Sequence, residues 1–350
     1  MTDARSRIVV AARNGVRDFE CAPGEKILHA GLRNGVGLAY ECATGTCGTC
    51  KARLVSGRVE TEWPDAPGGR YLKGDTELLM CQCVAHEDCA LEVSALRPPE
   101  AGDPVPSTLG GVLRAARRLT HDVAAFEVDL DRPIDFDAGQ FALIGVPGIA
   151  GARAYSMVNF ERAARRLSFV VKRKPGGAVS EWLFGGEVDG TRLDLFAPLG
   201  HAVFHPGVKK HVLCIAGGSG IAGMMSILQR AGQDDHFAEW DGHVFFGVRA
   251  ARDRFFLDEL EALRARFPSR LRVTVALSDE DVPESLRATY PGIVFARGFV
   301  HAVAGEQMKG RFADVRAYVA GPPPMVDASL RLLLREARLS PADIRYDKFS

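Results

Sequence analysis

The sequence predicts a multidomain chain of α+β and α/β class, and three observations support this prediction. Its 350 residues are too many for one ordinary hydrophobic core and suit two or three domains. A proline- and glycine-rich stretch, RPPEAGDPVPSTLGG, separates a cysteine-rich first part from the rest. Further along, consecutive strand-like runs give way to strands that alternate with helices. We therefore expect a first domain at 1–98, a linker at 99–111, a second domain at 112–207 and a third domain at 208–350.

The overall composition argues against several classes of protein. The 44 basic and 44 acidic residues balance, so bulk charge favours neither nucleic acid nor an anionic membrane as a partner. The N-terminal residues MTDARSRIVV carry charges and lack the apolar core of a signal peptide. The longest uncharged run, Val212–Leu228, is broken by GGSG and is shorter than the roughly 20 apolar residues of a spanning helix. We therefore expect a cytoplasmic protein.

The first domain reads as short strands and loops around one helix near Ile27–Gly35, and it holds most of the cysteines. In a reducing compartment such thiols are seldom disulfides, so a tight cluster indicates metal or redox chemistry. The spacing C-x4-C-x2-C over residues 42–50, with a distant fourth cysteine, is that of a plant-type [2Fe–2S] site. Gly45 and Gly48 would let this loop adopt positive φ and bring backbone N–H groups close to the sulfurs.

The cysteine spacing alone leaves two alternatives open. A structural zinc site could use the cysteines at 47, 50, 81 and 83, but it would leave Cys42 unexplained and would contain a one-residue spacer. Within a [2Fe–2S] site, Cys81 and Cys83 compete for the fourth position. The cysteines that are not ligands are expected to be small buried thiols, among them Cys21, Cys89 and Cys214.

The second domain contains the strand-like runs AAFEVDL, FALIGV, RLSFVVKRK and RLDLFAP, whose spacing predicts an antiparallel barrel or sandwich. After FALIGV comes RAYSM, and further along Gly176 and Gly177 open a helix that starts near Ser180. Exposed N–H groups at such a helix start would suit a pyrophosphate, so the two motifs together indicate a flavin site. Taken alone, RAYSM fits surface packing as well as a flavin site. The glycine run alone likewise fits a turn capped by Ser180.

The third domain contains the strands HVLCIAG, GHVFFGV, LRVTVALS and RAYVAG in alternation with helical stretches, which predicts a doubly wound parallel sheet. The run HVLCIAGGSGIAGMM reads as strand, glycine turn and helix, an arrangement that binds the phosphates of a dinucleotide. A second such turn lies in VAGPPPMVDASL. The first turn, GGSGIAG, does not have the G-x-G-x-x-G pattern, so an ordinary strand-to-helix turn remains an alternative for it.

Taken together, the three segments resemble the NADH-dependent reductase components of bacterial multicomponent oxygenases over essentially the whole chain. The resemblance rests on CATGTCGTC with LLMCQ, RAYS, KPGGAVS, AGGSGIAG, FFGVR, AGPPPM and the terminal YDKFS. It is closest to the reductases of toluene and other aromatic monooxygenases and of ring-hydroxylating dioxygenases. It implies a β-grasp [2Fe–2S] ferredoxin domain, an antiparallel β-barrel FAD domain and a Rossmann-like NAD domain.

The resemblance also implies roles for individual residues. The cluster ligands would be Cys42, Cys47, Cys50 and Cys81, which selects Cys81 over Cys83. The flavin would be held by Arg153, Ala154, Tyr155, Ser156, Val171, Lys172, Gly176, Gly177, Val179 and Ser180. The NAD site would comprise Gly217, Gly218, Ser219, Gly220, Phe246, Gly247, Arg249, Gly321, Pro322 and Met325. Ser156, near the reactive flavin nitrogen, and Phe349, the family's C-terminal aromatic, would be the catalytic positions.

Two positions depart from the family pattern. Ala320 stands where relatives usually have a cysteine close to the nicotinamide, so that contact is missing or made otherwise. Gly223 replaces the usual proline, which is expected to loosen the first turn of the helix after the glycine turn.

The implied function is electron transfer from NADH through FAD and the [2Fe–2S] cluster to an oxygenase component or an intermediary Rieske ferredoxin, in aromatic hydrocarbon oxidation. One alternative is a reductase for a haem or alkane hydroxylase. A second alternative is a redox sensor or electron-carrier module that catalyses no reaction by itself. NADH is expected to be preferred over NADPH because Asp279, Glu280 and Asp281 would repel a 2′-phosphate, although Arg249 and Arg252 act in the opposite direction.

Overall fold

The structure, a computed structural model, describes residues 5–98, 104–205 and 207–349. These residues form three sheets in chain order, together with one small two-stranded sheet. The three larger sheets correspond to the three domains that the sequence predicts. Among the described residues, none of the helices has the length and apolar character needed to span a bilayer.

The first domain is a five-stranded mixed sheet in the order β2-β1-β7-β3-β5, packed against one helix, and it has the β-grasp form. Strands β4 and β6 form the small two-stranded sheet, and a single 3-10 turn at Pro67–Tyr71 lies between them in the chain. The elements are β1 (Ser6–Ala12), β2 (Gly15–Cys21), α1 (Ile27–Arg33), β3 (Lys51–Ser56), β4 (Val59–Thr61), β5 (Glu77–Leu79), β6 (Cys83–Ala85) and β7 (Cys89–Val93).

Helix α1 confirms the helix that the sequence predicts near Ile27–Gly35. It packs its apolar side on the sheet, where Ile27 and Leu28 are completely buried. Gly35 then adopts a φ of +72°, and the N–H of Val36 returns to the carbonyl of Gly31 at 2.9 Å. A glycine in this left-handed conformation is what ends the helix.

The second domain is a six-stranded antiparallel sheet in the order β11-β10-β13-β8-β9-β12. Its two edge strands meet through a bridge between Met157 and Phe169, so the sheet closes into a barrel and not a sandwich. The elements are β8 (Ser107–Arg118), β9 (Val123–Ile134), β10 (Phe141–Gly145), β11 (Arg153–Ser156), β12 (Ala164–Lys172), α2 (Ala178–Gly185) and β13 (Arg192–Leu199).

The predicted linker at 99–111 is wrong for its last residues, because β8 already begins at Ser107. Gly110 and Gly111 pair with β13 inside the barrel sheet. A Cβ on Gly111 would lie 2.5 Å from the Val128 side chain, so this glycine permits a close approach of strands and does not mark a flexible connection. Residues 99–103 of the predicted linker lie outside the described residues.

The third domain is a six-stranded parallel sheet in the order β17-β16-β15-β14-β18-β19 with helices between its strands. The order reverses between β14 and β18, the point where doubly wound sheets bind ligands. The elements are β14 (His211–Gly217), α3 (Ile221–Gln233), α4 (His236–Glu239), β15 (Gly242–Val248), α5 (Leu257–Arg266), β16 (Leu271–Leu277), α6 (Glu284–Thr289), β17 (Val294–Arg297), α7 (Val300–Gln307), β18 (Val315–Gly321), α8 (Pro323–Arg331) and β19 (Ile344–Lys348).

The hydrophobic cores of the domains are joined to one another. The core of the first domain continues into Phe141, Leu143, Phe196 and Leu199 of the barrel. The core of the barrel continues in turn into the buried face of α3 and into β14 and β15. Apolar surface is therefore buried between the domains as well as within them.

Candidate functional site

The predicted cluster cysteines lie in two segments that the first domain brings together. Cys42, Cys47 and Cys50 lie on the loop before β3, and Cys81 lies in the turn between β5 and β6. The Sγ atoms of Cys50 and Cys81 are 3.2 Å apart. The Cys47 thiol bonds to Cys42 Sγ and lowers the pKa of Cys42 to about 4. The four sulfurs therefore form two pairs, 42 with 47 and 50 with 81.

Backbone amides of the cysteine loop point at these sulfurs. The N–H groups of Thr44, Thr46 and Cys47 donate to Cys42 Sγ, each at 3.4 Å. Gly45 and Gly48 have φ of +83° and +78°, which confirms the predicted role of the glycines in folding the loop inward. Amide donors of this kind stabilise negative charge on sulfur, as a metal–thiolate group requires.

The distances between the cysteine sulfurs distinguish a single-zinc site from a [2Fe–2S] site. Among the residues that the structure describes, the one group of His, Cys, Asp or Glu side chains offering three or more ligand atoms within 4.8 Å of one another is His121, Asp122 and Asp253. In this part of the chain, no three of the sulfurs at 47, 50, 81 and 83 therefore lie as close together as the ligands of a single zinc ion would. The two pairs, 42 with 47 and 50 with 81, instead fit a group that contains two metal ions.

Cys83 lies apart from the sulfur pairs. Its Sγ is 3.4 Å from Thr61 Oγ1, across the small sheet of β4 and β6, and it is completely buried. The expectation that the other cysteines are buried thiols is confirmed for Cys21, Cys83, Cys89 and Cys214. This arrangement supports Cys81 over Cys83 as the fourth ligand.

Strand β11 consists of the four residues RAYS, which were expected to hold a flavin. They pair with β10, Ser156 opposite Phe141 and Arg153 opposite Ile144. Tyr155 packs edge-on against Phe126 with ring centroids 6.4 Å apart, and burial raises its pKa to about 12. The phenol therefore keeps its proton at neutral pH and can donate a hydrogen bond. Ala154 lies on the exposed side of the strand.

The KPGGAVS segment forms a tight turn into α2, which begins at Ala178, two residues before the predicted start. The hydroxyl of Ser180 accepts a hydrogen bond from the N–H of Lys174 at 3.0 Å and donates to the carbonyl of Gly177 at 3.0 Å. Gly177 allows this closure, since a Cβ there would lie 2.8 Å from Ser180 Oγ. Ser180 thus holds the turn itself, which is the structural alternative considered for this motif.

The other residues expected near the flavin divide into core and surface positions. Val171 and Val179 are buried in the barrel core. Gly176 has a φ of +73°, and a Cβ there would meet nothing within 4 Å, so the glycine serves the conformation of the turn. Lys172 forms an ion pair of 3.2 Å with Asp122. Burial acts to raise the pKa of Asp122, but the charge of Lys172 and the hydrogen bonds from Lys172 and Thr120 together outweigh it and hold that pKa below its usual value.

The two glycine turns of the third domain pack against each other at the carboxyl ends of β14 and β18. A Cβ on Gly220 would lie 2.2 Å from the carbonyl oxygen of Ala320. Gly321 has a φ of +147°, and a Cβ there would lie 2.6 Å from Met325 Cε, beside Gly217. Only glycine fits these contacts, whereas Gly218, with a φ of +54°, faces open space. Ser219 completes the turn, and Pro322 precedes α8.

Two residues expected to border the dinucleotide have structural roles instead. The side chain of Phe246 is completely buried against Phe255, with ring centroids 5.4 Å apart, because it points into the core from β15. A Cβ on Gly247 would lie 2.7 Å from Val300, so this glycine lets α7 pack on the sheet. Phe246 is therefore a core residue, contrary to the expectation for its side chain.

A cleft of about 570 Å³ opens beyond the carboxyl ends of β15 and β16 and is lined by residues 249–253 with Asp279 and Glu280. Glu280 accepts a hydrogen bond from the N–H of Ala251 at 2.6 Å. Arg249 is exposed and lies within 4 Å of Asp122 and Asp253. The third acid of the loop, Asp281, lies outside this lining and forms an ion pair of 2.7 Å with Arg297.

The predicted flavin strand and the predicted dinucleotide turn meet. A Cβ on Gly223 would lie 3.6 Å from Ser156 Cβ, so the first turn of α3 packs directly on the end of β11. Helix α3 begins at Ile221, so Gly223 lies in its first turn. The N–H of Phe349 donates to the carbonyl of Gly321 at 3.0 Å, which places the C-terminal aromatic at the same edge.

Sequence reasoning missed two residues of this region. Gln82 lies against Gly45 and donates to Cys81 Sγ at 3.6 Å; the motif LLMCQ contains it but gave it no role. Asp122 of the second domain lies between Lys172 and Arg249, and no sequence signal indicates it because its partners come from distant segments.

Comparisons with known proteins agree with this architecture. Residues 12–86 match the model of the 2Fe-2S iron-sulfur cluster binding domain. Residues 111–204 match the oxidoreductase FAD-binding domain, and residues 214–330 match the oxidoreductase NAD-binding domain.

Several relatives match this chain over nearly its full length. The ferredoxin–NAD(P)(+) reductase CarAd of Metapseudomonas resinovorans is 34% identical, over 94% of this chain and 96% of the relative. The xylene/toluene monooxygenase electron transfer component XylA of Pseudomonas putida is also 34% identical, over 93% of this chain and 89% of the relative. The solved structure of a ferredoxin reductase in carbazole 1,9a-dioxygenase aligns over 99% of both chains, with a TM-score of 0.83 and 33% identity. The chain therefore belongs to the family of ferredoxin–NAD(P) reductase components of multicomponent oxygenases, with a 2Fe–2S, an FAD-binding and an NAD-binding domain.

Proposed function

We propose that this reductase takes electrons from NADH and delivers them to an oxygenase component, or to an intermediary Rieske ferredoxin, in the oxidation of aromatic hydrocarbons. The observation that carries this proposal is the meeting of β11, the glycine turn after β14 and the C-terminal strand at one edge, with the paired cysteines in the adjoining domain. When bound, FAD accepts a hydride and releases its electrons singly, and the cluster accepts one electron at a time.

The residues of the third domain would bind and orient the dinucleotide. Gly218 is the position of the 217–220 turn that faces open space, and a pyrophosphate could approach the backbone closely there, at the carboxyl edge of the sheet. Met325 lies against both turns and would limit the depth of this site. Ser156, packed on the start of α3, would then lie on the flavin side of the nicotinamide.

The residues of the first domain would hold the cluster. Cys42 with Cys47 would bind one iron, and Cys50 with Cys81 the other, as their pairing suggests. The amides directed at Cys42 Sγ would favour the added negative charge of the reduced state. Gln82 would support Cys81 in the same way from the opposite side.

The identity of the partner is inferred from likeness. The motifs WPDAPGG and CQC resemble those of aromatic monooxygenase reductases, and one relative is named for a xylene/toluene monooxygenase. We infer a cytoplasmic location from the free cysteines, which a reducing compartment maintains. A sensor or carrier without turnover would have no use for the two nucleotide turns that pack together here.

The cofactor content of the purified protein tests this proposal. We expect a brown protein that contains about one FAD and about two irons with matching acid-labile sulfide per chain. The expected loading follows from the two sulfur pairs and from the flavin strand. One zinc per chain without acid-labile sulfide would contradict the cluster assignment, and absence of NADH-driven ferricyanide reduction in the flavin-loaded protein would contradict the reductase.

A preference for NADH over NADPH is supported by two carboxylates. Asp279 and Glu280 line the cleft beside Arg249 and Arg252, so a 2′-phosphate there would meet two negative charges as well as two positive ones. Arg249 already has Asp122 and Asp253 within 4 Å, which reduces its availability to a phosphate. Asp281, which was expected to contribute, is engaged by Arg297 outside this lining.

Replacing Glu280 with glutamine should therefore raise kcat/KM for NADPH and leave kcat/KM for NADH nearly unchanged. A like charge at a surface site costs about 1 kcal/mol, so the expected gain is about fivefold. The matched control is Asp281→Asn, which should change neither value. Wild-type preference for NADPH, or an equal effect of the two substitutions, would show that the arginines decide specificity.

A further inference from the structure

Tyr40 lies two residues before Cys42 and is buried where the first domain meets the barrel. Its hydroxyl accepts a hydrogen bond from the backbone N–H of Gly200 at 3.0 Å. Its ring lies beside that of His201, with centroids 4.9 Å apart. The cysteine loop is thus bonded directly to the end of β13 in the second domain.

Gly200 is in turn connected to the flavin strand. It follows β13 with a φ of +101°, and a Cβ there would lie 2.9 Å from the Phe141 ring, so the chain is held closely at this point. Gln140 Nε2 donates to the carbonyl of Gly200 at 3.5 Å, and the carbonyl of Gln140 accepts from the N–H of Met157 at 3.1 Å. Met157 directly follows Ser156. A short series of hydrogen bonds therefore runs from the end of β11 to Tyr40, two peptide bonds from Cys42.

The surrounding contacts between these domains are mostly apolar. His29 stacks on Phe196 with ring centroids 4.2 Å apart, and burial lowers the pKa of His29 to about 4, so the ring is neutral at neutral pH. Phe141 and Leu199 pack into the core of the first domain. Apolar contacts are non-directional and tolerate small displacements, whereas a buried hydrogen bond fixes distance and angle.

We propose that Tyr40 is a positioning residue, whose hydroxyl fixes the cysteine loop relative to the flavin strand for electron transfer between the two domains. This inference rests on the proposed function. Each transfer would oxidise the reduced flavin by one electron and reduce the cluster by one, and Tyr40 itself would exchange neither an electron nor a proton. Since electron transfer slows steeply with separation, a small loosening of this contact would slow cluster reduction and leave hydride transfer unchanged.

The test is Tyr40→Phe in the full chain loaded with both cofactors. The ring and its packing stay, and the hydroxyl is lost, which leaves the Gly200 N–H without this partner. After anaerobic rapid mixing with NADH, flavin reduction should keep its wild-type rate. Cluster reduction should slow by about tenfold, since misplacements of an ångström or less between reacting groups have effects of this size or larger.

A second measurement, hydrogen–deuterium exchange, reports on positioning without reference to activity. Amides in 36–46 and in 196–203 should exchange faster in Tyr40→Phe than in the wild type, because the contact that joins them is removed. The matched control is Tyr71→Phe: this exposed tyrosine packs on Gly48 of the same loop, and its hydroxyl bonds only locally to Arg70 at 2.9 Å. It should leave the rates and the exchange unchanged.

The outcomes separate this inference from the proposed function. A wild-type protein that fails to reduce its cluster with NADH overturns both. If the wild type works and Tyr40→Phe matches it in either cluster reduction or amide exchange, the positioning role alone is overturned. An equal slowing of flavin and cluster reduction would also overturn it, because the substitution would then affect flavin reduction, the step before electron transfer between the domains.

Discussion

Replacing Cys47 with alanine should abolish NADH-driven reduction of cytochrome c while ferricyanide reduction stays largely intact. Cytochrome c takes electrons one at a time from the cluster, and loss of one thiolate destroys or remodels the cluster. Ferricyanide can take electrons directly from reduced flavin, whose predicted site on β11 lies in another domain. The measurement compares kcat with the two acceptors in protein that retains its full FAD content.

The same assay assigns the fourth ligand. Cys81→Ala should behave like Cys47→Ala, because Cys81 Sγ lies 3.2 Å from Cys50 Sγ. Cys83→Ala is the matched control and should keep both activities, since its sulfur faces Thr61. Loss of cytochrome c reduction in Cys83→Ala but not in Cys81→Ala would reverse the assignment. Loss of both activities in folded, flavin-loaded Cys47→Ala would contradict a linear path through the flavin.

Replacing Gly220 with alanine should strongly reduce electron transfer from NADH to either acceptor. The new Cβ would lie 2.2 Å from the Ala320 carbonyl oxygen, which belongs to the backbone at the buried end of β18 and cannot rotate aside as a side chain could. The turns must separate by about 1 Å, and a displacement of that size in a binding site can lower kcat/KM for NADH by about 100-fold. Gly185→Ala, at a position with open space around it, is the control and should have no effect.

Two further measurements on Gly220→Ala distinguish a defect in dinucleotide binding from a general loss of folding or of FAD. The FAD content of Gly220→Ala should stay close to that of the wild type, and the rates are compared well below its thermal unfolding midpoint, which the clash should lower, so that the loss reflects the dinucleotide site. A variant with normal kcat/KM for NADH would show that the phosphates bind elsewhere than on this turn.

Much of the fold can be predicted from the sequence where strands are buried on both faces. The runs HVLCIAG and GHVFFGV are β14 and β15 residue for residue, because parallel strands covered by helices read as continuous apolar stretches. The linker was predicted less well. Gly110 and Gly111 look like flexible residues in the sequence, but both lie in a barrel strand, and crowding against Val128 requires glycine at position 111.

The candidate site was predictable where the chemistry is local in the chain. The loop around Gly45 and Gly48 follows from spacing and from glycine conformations alone. The pairing of Cys50 with Cys81, the bond from Gly200 to Tyr40 and the burial of Phe246 depend on which segments the fold brings together. No periodicity or spacing reports such contacts, which is why Tyr40 received no role from the sequence.

Rapid anaerobic mixing of the oxidised protein with excess NADH tests the central claim, that one chain carries electrons from NADH through the flavin to the paired cysteines. The account predicts that the flavin absorbance falls first and the cluster absorbance second, with the paramagnetic signal of a reduced [2Fe–2S] cluster appearing in the second phase. Cluster reduction without prior loss of flavin absorbance would contradict it. So would a cluster that stays oxidised with NADH although dithionite reduces it.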